Sequence, residues 1–568
     1  MSIPEAMANF IDSPTTLDFI ARWTDYFADF VRDHPQVITS QLLAGRYMIG
    51  YVDTANVDLV ASDLGTAFIS SLPIICGLLD SAALEAAGIL QVQEQPYLDL
   101  RGRGTVVGIV DTGIDYTQQA FIREDGTSKI QYLYDQNVRT NTPEGFYVGT
   151  EYTNAQINEA LRSPNPYEIV PEQDTVGHGT FLASIAAGRR QGEQLGAAPE
   201  ADLIVVKLKP ARQFYRDWFL VPPDQENAYE STAIMVGIEY IIQRARDLGK
   251  PVSIVLGLGS NFGSHDGFSV FEEYLSGISS LRGVCVTTAA GNESQAKHHT
   301  QGTILSSGEQ QNVDIRVGNN AGNVFVSLWN AAADRLSISV RSPTGEMVGR
   351  VPARSGPVTR SRLILERTTV EVQYFFPVEG SGGQLTVVRL LNATPGIWTI
   401  IVNGDIILDG TYHAWLPLTG FVSPTVEFLT PTPYYTIVVP ATSMGPITVG
   451  AYNGANNSLY VRSSWGPTRL PFMSPDLVAP GVNVIGLYPS GYGPMDGTSV
   501  SAAITGGAAA LLLQWGIVEG NDVAMSTYQI RAYMIRGCSR SDTITYPNAQ
   551  WGYGRLNLIS SFNLMREL

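Results

Sequence analysis

Residues 105–115 read TVVGIVDTGID, a run of mostly β-branched apolar residues that ends in an aspartate and a turn. A strand that is apolar on both faces is typical of a parallel sheet covered by helices on both sides. Three similar runs follow, ADLIVVKL (201–208), PVSIVLGL (251–258) and GVCVTTAA (283–290). Helical segments such as EYIIQRARDL (239–248) separate them. We therefore predict an α/β fold with a parallel sheet and helices on both faces.

Residues 301–425 have a different pattern, in which short alternating strands are separated by Gly, Pro and Asn without a long helix. NVFVSLWN (323–330) and RLSISVRSP (335–343) are examples. This pattern predicts an antiparallel sandwich of the jelly-roll type. Afterwards PITVGAYN (446–453) and VNVIGLYP (482–489) return to the apolar pattern of the parallel strands. We predict that an all-β jelly-roll domain is inserted into the α/β domain.

The N-terminal region, which precedes the apolar runs, combines both kinds of element. Residues 14–35 place apolar side chains at helical spacing as far as His34-Pro35, and GRYMIGYVD (45–53) is a predicted strand. We expect a small α+β unit here. The predicted divisions of the chain are residues 1–80, 81–300, 301–425 and 426–568, of which the second and fourth form the split α/β domain.

The composition and the N-terminus exclude some classes of function. The chain of 568 residues has 36 Lys+Arg against 53 Asp+Glu, a net charge of −17, whereas nucleic-acid binding needs clustered positive charge. The N-terminal sequence lacks a basic region followed by an apolar one, so we expect no secretory signal peptide and synthesis in the cytoplasm. Polar residues interrupt the apolar stretch 502–518, which we expect to be a buried helix and not a membrane span.

Cysteines and histidines give no indication of a metal centre. The three cysteines are far apart and form no CxxC pair, which argues against a disulfide framework and a zinc site. They are Cys76, Cys285 and Cys538. His265 and the pair His298-His299 have no carboxylate or thiol at ligand spacing, and we expect them at the surface or on loops. We therefore predict no metal and no cofactor.

Asp111 and His178 stand where the predicted fold places reactive groups. Asp111 ends a strand, at the edge where open parallel sheets bind ligands, although an aspartate that caps a turn explains it equally well. His178 lies between two glycines in DTVGHGT (174–180), at the start of a predicted helix. A single histidine is more often structural than catalytic, so neither residue is decisive alone.

Ser499 and Asn292 also have ordinary structural explanations. Ser499 follows Gly497 at the start of an apolar helix, where serine often caps the helix, and Ser501 is a second candidate nearby. Asn292 follows the predicted strand 283–290, and asparagine is common in turns. The amide of Asn292 could instead donate to a developing oxyanion.

The order of these residues along the chain is more specific than any one of them. Aspartate, histidine and serine in this order form one of the known arrangements of a serine-hydrolase triad. Four segments closely resemble the signature motifs of the subtilisin-like serine proteases (peptidase family S8): DTGID (111–115), GHGT (177–180), AAGN (289–292) and GTSVSAA (497–503). SPDLVAPGVNV (474–484) resembles the segment before the serine in that family, and the resemblance covers most of residues 81–300 and 426–568.

The resemblance implies a role for each residue. Asp111 would orient His178, and His178 would take the proton of Ser499 as the serine attacks the scissile carbonyl. Asn292 and the backbone N–H of Ser499 would form the oxyanion hole. Two walls would hold an extended protein or peptide substrate in sheet fashion. The implied wall residues are Gly257, Leu258 and Gly259 on one side and Ala289, Ala290 and Gly291 on the other.

The family resemblance also implies an N-terminal prodomain that the enzyme removes after folding. The family's spacing before the triad aspartate implies a cut near Gly77, within residues 73–81, and so a prodomain of residues 1–80. A prodomain that stays bound would occupy the cleft as an inhibitor. The alternative interpretation is that residues 69–79 form an internal strand that is never cut.

The inserted sandwich indicates a narrower resemblance, to the Csp germination proteases of clostridia. Active members of that group are implied to cleave the zymogen of a spore cortex-lytic hydrolase, and this chain retains the triad residues. We expect a self-processing serine endopeptidase that activates a protein zymogen and is associated with spores. A general degradative peptidase and a pseudoprotease that only binds through its cleft remain open. The sandwich is expected to have a packed aromatic core or, alternatively, a carbohydrate- or partner-binding face.

Overall fold

The computed structural model describes residues 5–78, 85–95, 97–192 and 194–566. The predicted boundary between residues 80 and 81 lies outside the described residues. The N-terminal region contains α1 (Glu5–Asp12), β1 (Thr16–Arg22), α2 (Asp25–Asp33), β2 (Ile38–Leu43), β3 (Tyr47–Asp53), α3 (Val57–Leu64), α4 (Thr66–Ser71) and β4 (Ile75–Leu78).

Three strands of the N-terminal region form an antiparallel sheet in the order β1-β3-β2. The prediction of a helix across residues 14–35 is wrong in its first half, where the chain forms β1, and correct in its second half, where it forms α2. The first five residues of β1 are all buried. Apolar side chains on both faces of a strand give a spacing that also fits a helix.

The α/β part begins with the segment before the insertion. Its elements are α5 (Ile89–Glu94), β5 (Val106–Asp111), β6 (Ile130–Asp135), β7 (Thr150–Thr153), α6 (Asn154–Arg162), α7 (His178–Ala187), β8 (Asp202–Lys207), α8 (Gln213–Trp218), β9 (Tyr229–Glu230), α9 (Ser231–Asp247), β10 (Val252–Leu256), β11 (Leu258–Gly259), α10 (Val270–Ile278) and β12 (Val284–Ala289).

Residues 299–428 form the inserted β unit, and the α/β part resumes after it. The inserted elements are β13 (His299–Thr303), β14 (Gln310–Val317), β15 (Val324–Asn330), β16 (Arg335–Arg341), β17 (Met347–Val351), β18 (Thr359–Arg362), β19 (Thr369–Phe375), β20 (Gln384–Leu391), β21 (Gly396–Ile406), β22 (Thr411–Trp415) and β23 (Glu427–Phe428). The remaining elements are β24 (Ile447–Tyr452), β25 (Leu477–Pro480), β26 (Val484–Tyr488), β27 (Gly491–Met495), α11 (Thr498–Leu513), α12 (Thr527–Gly537) and α13 (Leu558–Arg566).

The principal sheet has eight strands in the order β25-β24-β12-β10-β5-β8-β6-β7. All neighbouring pairs are parallel except the edge pair β6-β7. Along β5, Val107 and Ile109 belong to the apolar core that includes α7 and α11, whereas Val106 and Val110 belong to the core that includes α9 and α10. The predicted parallel sheet with helices on both faces is therefore confirmed. The segment 482–489 has the apolar pattern of the parallel strands, but among the described residues β26 pairs with β27 in an antiparallel hairpin and stands outside the principal sheet.

The inserted unit consists of two antiparallel sheets. One has six strands in the order β13-β22-β15-β20-β19-β18, and the other has five in the order β17-β16-β21-β14-β23. A shared apolar core lies between them, and Trp398, which belongs to it, is fully buried. Alternating apolar residues on facing strands account for this packing.

The contact between the inserted unit and the α/β part buries several histidines. His265, His298 and His299 are all buried, so the prediction of surface positions for them is wrong, although His265 and His298 do lie on loops and His299 begins β13. The ring of Trp415 stacks on that of His265 with 4.2 Å between centres, and Nδ1 of His413 lies 3.1 Å from Nε2 of His299. Contacts between distant parts of the chain cause this burial, which local sequence does not reveal.

Helix α11 runs through the middle of the α/β part, against α7, β10 and β12. The segment Thr498–Val518 is long and apolar enough to cross a membrane, but 89% of its most apolar window is buried inside the protein. It is the core helix that the sequence predicted. The three cysteines are buried and form no disulfide.

Candidate active site

Asp111, His178 and Ser499 meet at one edge of the principal sheet. Asp111 ends β5, His178 begins α7, and Ser499 lies in the first turn of α11. Nδ1 of His178 donates to the carboxylate of Asp111, with distances of 2.8 and 2.9 Å to its two oxygens, and Nε2 lies 3.4 Å from the hydroxyl oxygen of Ser499. All three side chains are buried. In this arrangement the imidazole can accept the hydroxyl proton while the carboxylate stabilises the resulting cation.

Asp174 holds the turn after Asp111 against the helix that bears His178. One carboxylate oxygen of Asp174 accepts a hydrogen bond of 2.8 Å from the hydroxyl of Thr112, and the other accepts bonds of 2.9 and 2.7 Å from the backbone N–H and hydroxyl of Thr180. Asp174 is only 3% exposed. Sequence reasoning missed it, although its place at the start of DTVGHGT was an available signal.

Asn292 is tied to the segment that bears Ser499. Its amide oxygen accepts hydrogen bonds from the backbone N–H and the hydroxyl of Thr498, at 3.1 and 3.2 Å. The hydroxyl of Thr498 also accepts a bond of 3.0 Å from the backbone N–H of Gly291. Because the oxygen is held in this way, the orientation of the Asn292 amide is fixed. The first backbone N–H groups of a helix have no partner within the helix, so those at the start of α11 can bond to groups outside it, as that of Thr498 does to Asn292.

The N-terminal region lies in the cleft beside these residues. Strand β4 pairs antiparallel with β11, so that Leu78 is opposite Leu258 and Gly77 is opposite Gly259. Gly257, which precedes β11, approaches the serine closely, because a Cβ atom built on it would lie 3.1 Å from Cβ of Ser499. The predicted wall 257–259 is therefore occupied by a strand of this chain, which runs towards Ser499.

A second strand pairs with the other edge of β4. In this ladder Ile75 is opposite Glu230 and Cys76 is opposite Tyr229, both in β9. Sequence reasoning missed β9, because a strand of two residues has no periodicity to detect. Strand β4 is thus hydrogen-bonded to β11 along one edge and to β9 along the other. A peptide that binds by β-augmentation adds to the edge of a sheet in the same way.

The second predicted wall, residues 289–291, continues from β12. The backbone N–H of Ala290 donates to the carbonyl of Val449 at 2.9 Å, and the carbonyl of Ala290 accepts from the N–H of Val438 at 3.0 Å. Ala289 and Ala290 are fully buried. These bonds hold the wall rigidly next to Asn292.

An open cavity of about 570 Å³ lies next to Asn292 and is lined by Leu78, Leu418, Met495 and Asp496, among others. It extends the cleft beyond the end of β4. Within the parts of the chain that the structure describes, no three His, Cys, Asp or Glu residues are grouped so as to hold a metal ion.

A model of the subtilase family, peptidase S8, matches residues 102–326 and 430–554. Among curated proteins, the chain is 24% identical over 462 residues to the subtilisin-like protease SBT1.9 of Arabidopsis thaliana, which covers 73% of this chain and 57% of that protein. It is 22% identical over 465 residues to the PI-type proteinase of Lactococcus lactis subsp. cremoris, which covers 73% of this chain and 23% of that protein. The chain thus spans only part of the length of these relatives.

Among solved structures, the CspB protease of Clostridium perfringens is similar over 85% of this chain and 98% of its own length. The two are 31% identical in sequence and superpose with a TM-score of 0.75. The similarity therefore extends well beyond the family model, which omits the N-terminal region and most of the inserted unit.

Proposed function

This chain belongs to the subtilase family of peptidases, and from that premise we propose that it is a serine endopeptidase with Ser499 as nucleophile. His178 is the general base and Asp111 orients it. The observation that supports this proposal most strongly is the hydrogen-bonded series from the carboxylate of Asp111 through both ring nitrogens of His178 to the hydroxyl of Ser499. A histidine bonded on both sides in this way is held in one tautomer.

The proposed reaction follows the two-step course of serine peptidases. As Oγ of Ser499 attacks the scissile carbonyl, Nε2 of His178 takes the hydroxyl proton, and the amide nitrogen leaves with that proton when the C–N bond breaks. Water then attacks the acyl-enzyme, again with His178 as base, and the carboxylic acid leaves as Ser499 regains its proton. The amide of Asn292 and the backbone N–H of Ser499 stabilise the negative oxygen in both steps.

We propose that the N-terminal region is a prodomain whose strand β4 occupies the substrate cleft. The pairing of β4 with β9 and β11 supports this, since a substrate would pair in the same way. The described part of β4 ends with Leu78 opposite Leu258, one position before Gly257 and Ser499, and we propose that the cut bond follows the next residue in the sequence, Leu79. Leu79 lies outside the described residues, and the assignment falls within the range predicted around Gly77.

Buried ionic contacts support a prodomain that remains bound after the cut. Asp18 in β1 forms a buried ion pair with Arg212, whose guanidinium also contacts Glu230 at 2.8 Å. Burial tends to raise the pKa of Asp18, but the positive charge of Arg212 lowers it overall. Breaking such a pair would leave an uncompensated buried charge, which is strongly unfavourable.

The physiological substrate that we propose is a protein zymogen, as the resemblance to the Csp germination proteases implies, with the enzyme associated with spores. The similarity to the C. perfringens CspB protease over nearly its whole length supports this proposal. A general degradative peptidase would share the chemistry but would cut many proteins. Identification of new N-termini in a proteome exposed to the enzyme distinguishes the two.

Labelling with a fluorophosphonate probe tests whether Ser499 is an activated nucleophile. We expect one probe molecule per chain, attached to Ser499, and no labelling of the Ser499→Ala variant. Ser501→Ala is the matched control, because Ser501 lies on the same helix and its hydroxyl donates to the carbonyl of Ala479 at 3.0 Å instead of to a histidine. A parent chain that neither cuts itself nor takes up the probe, or equal labelling of the Ser499→Ala variant, would favour a pseudoprotease.

A further inference from the structure

The two faces of strand β4 meet different parts of the molecule. Cys76 and Leu78 pack against the apolar core that contains Leu258, on the α/β side of the cleft. Because successive side chains of a strand point to opposite faces, position 77 points the other way. It faces residues 418–421 of the inserted unit, between β22 and β23, which we call the covering loop.

Gly77 leaves no room for a side chain beneath the covering loop. A Cβ atom built on Gly77 would lie 2.4 Å from Cε2 of Phe421 and 3.2 Å from Cδ2 of Leu418. Both side chains are 3% exposed, so neither can turn freely into solvent. The backbone of Gly77 does not adopt the left-handed conformation that favours glycine. The requirement for glycine is therefore steric and comes from the covering loop.

The covering loop is held by hydrogen bonds to its two middle residues, Thr419 and Gly420. Near its start, the carboxylate of Glu293 accepts hydrogen bonds from the backbone N–H of Thr419 at 3.2 Å and from the amide of Asn261 at 3.0 Å. On the other side of the cleft, the amide of Gln225 donates to the carbonyl of Gly420 at 3.2 Å. The loop therefore bridges the cleft above β4 from one wall to the other.

Glu293 makes this attachment strong because it is an ionised group in a buried place. Burial alone would raise its pKa, but His298, whose ring nitrogen lies 2.8 Å away, and the hydrogen bonds to the carboxylate lower it overall. Glu293 also follows the proposed oxyanion residue Asn292 directly. The position of the covering loop is thus coupled to the catalytic wall.

We propose that the covering loop makes this enzyme selective for glycine in the substrate residue that lies opposite Gly259. The preferred substrate is an extended peptide with glycine at that position and an apolar residue next to it, opposite Leu258, on the side of the cut. This inference rests on the proposed peptidase function. It assigns a role to the inserted unit, which shapes the cleft through the loop that follows its last long strand.

Self-cleavage of refolded chains tests the proposal. We expect Gly77→Val to slow self-cleavage by about tenfold or more, because a side chain forced against packed neighbours is strongly unfavourable. The double variant Gly77→Val/Phe421→Ala should recover to within about threefold of Phe421→Ala alone, since the removed ring leaves room for the valine. Gly349→Val is the control for the added side chain, because a Cβ atom on Gly349 meets no atom within 4 Å. Phe376→Ala, a partly buried phenylalanine of the inserted unit, is the control for the lost ring.

Thermal unfolding of uncut chains provides a second measurement that needs no activity. In the Ser499→Ala background, Gly77→Val should lower the unfolding midpoint by about 2 °C or more when Phe421 is present, and by clearly less when residue 421 is alanine. Equal effects of Gly77→Val with and without the Phe421 ring, in either measurement, would overturn the proposal. If no chain cuts itself, self-processing is wrong, and the unfolding midpoints alone decide whether the covering loop excludes a side chain at position 77.

Discussion

Thr498 donates two hydrogen bonds to the amide oxygen of Asn292 and so fixes the orientation of that amide. The contribution of the Asn292 side chain to the reaction rate can therefore be measured by removing it. Replacing Asn292 by alanine removes a proposed oxyanion donor without touching the series Asp111–His178–Ser499. We expect the rate constant of self-cleavage after refolding to fall by about 10²–10³. The thermal unfolding midpoint serves as control and should stay within a few degrees of the parent's. An unchanged rate would exclude Asn292 from the oxyanion hole.

Asp174 should affect the reaction although it is remote from the substrate. In Asp174→Asn, an NH₂ group replaces one of the two carboxylate oxygens, so the side chain can no longer accept hydrogen bonds from both Thr112 and Thr180. The turn after Asp111 is then no longer held against the helix that bears His178, and the distance between Asp111 and His178 is no longer fixed. We expect self-cleavage to slow by about tenfold or more. Asp115→Asn is the matched control, because the carboxylate of Asp115 accepts hydrogen bonds from Thr117 and Gln118 in its own turn. Equal rates for the two variants would contradict a positioning role for Asp174.

Single site residues could be predicted from the sequence wherever the residues next to them form a recognisable motif. Asp111, His178, Ser499 and Asn292 each stand in a short motif, and the structure brings these four together. Asp174 also stands next to a motif, GHGT, but its role depends on a hydrogen bond to Thr112, which is 62 residues away in the sequence. That contact could not be predicted from the sequence. The burial of His265 could not be predicted, because the stacked Trp415 belongs to a strand far along the chain.

Among the helices and strands, the contact between α7 and α11 sets the distance between His178 and Ser499. A Cβ atom on Gly507 of α11 would lie 2.6 Å from the carbonyl oxygen of Ala186 in α7. Backbone cannot move aside as a flexible side chain can, so Gly507→Ala should destabilise the protein by about 1–3 kcal/mol.

Gly277→Ala is the matched control for this contact. Gly277 lies in α10, and a Cβ atom there meets nothing within 4 Å. Alanine should therefore stabilise that helix slightly, by about 0.5–1 kcal/mol, through its higher helix propensity. Chemical denaturation of both variants would measure the two changes. A stable Gly507→Ala protein would show that the two helices are not closely packed.

Elements with a pronounced sequence pattern were predicted correctly, and elements defined by their neighbours were not. Strand β5 has an unbroken apolar run, and its place in a parallel sheet follows from that run. Strand β1 is buried on both faces by the rest of the molecule, which made its pattern resemble a helix. Strand β9 exists only because β4 pairs with it, so no local signal could have indicated it.

At the scale of the whole molecule, the histidines between the inserted unit and the α/β part should make the protein sensitive to acid. Burial lowers the pKa of His265 to about 4 and that of His413 to about 3. The folded state therefore binds fewer protons than the unfolded state below pH about 6.5. The contribution of each histidine to stability is complete above that pH and is lost as the pH falls towards the lowered pKa.

The His413→Gln variant isolates this effect. Buried carboxylates with raised pKa, such as Glu272 with a pKa of about 7, change stability in the opposite direction, but they do so equally in both proteins. An exposed histidine, as in the unfolded chain, takes up its proton between about pH 7 and pH 5. Over this interval the free energy of unfolding should fall more for the parent than for His413→Gln. Chemical denaturation at several pH values would measure the difference. Parallel curves for the two proteins would show that His413 does not remain neutral in the folded state.

Comparing the intact masses of the refolded parent chain and the Ser499→Ala variant tests most directly whether Ser499 cuts the chain to which it belongs. We expect two fragments from the parent, joined in the uncut chain at the bond that follows Leu79, and a single uncut chain from the variant. An uncut parent chain, or the same fragments from both proteins, would contradict the claim that Ser499, activated by His178, cuts the strand that lies in its own cleft.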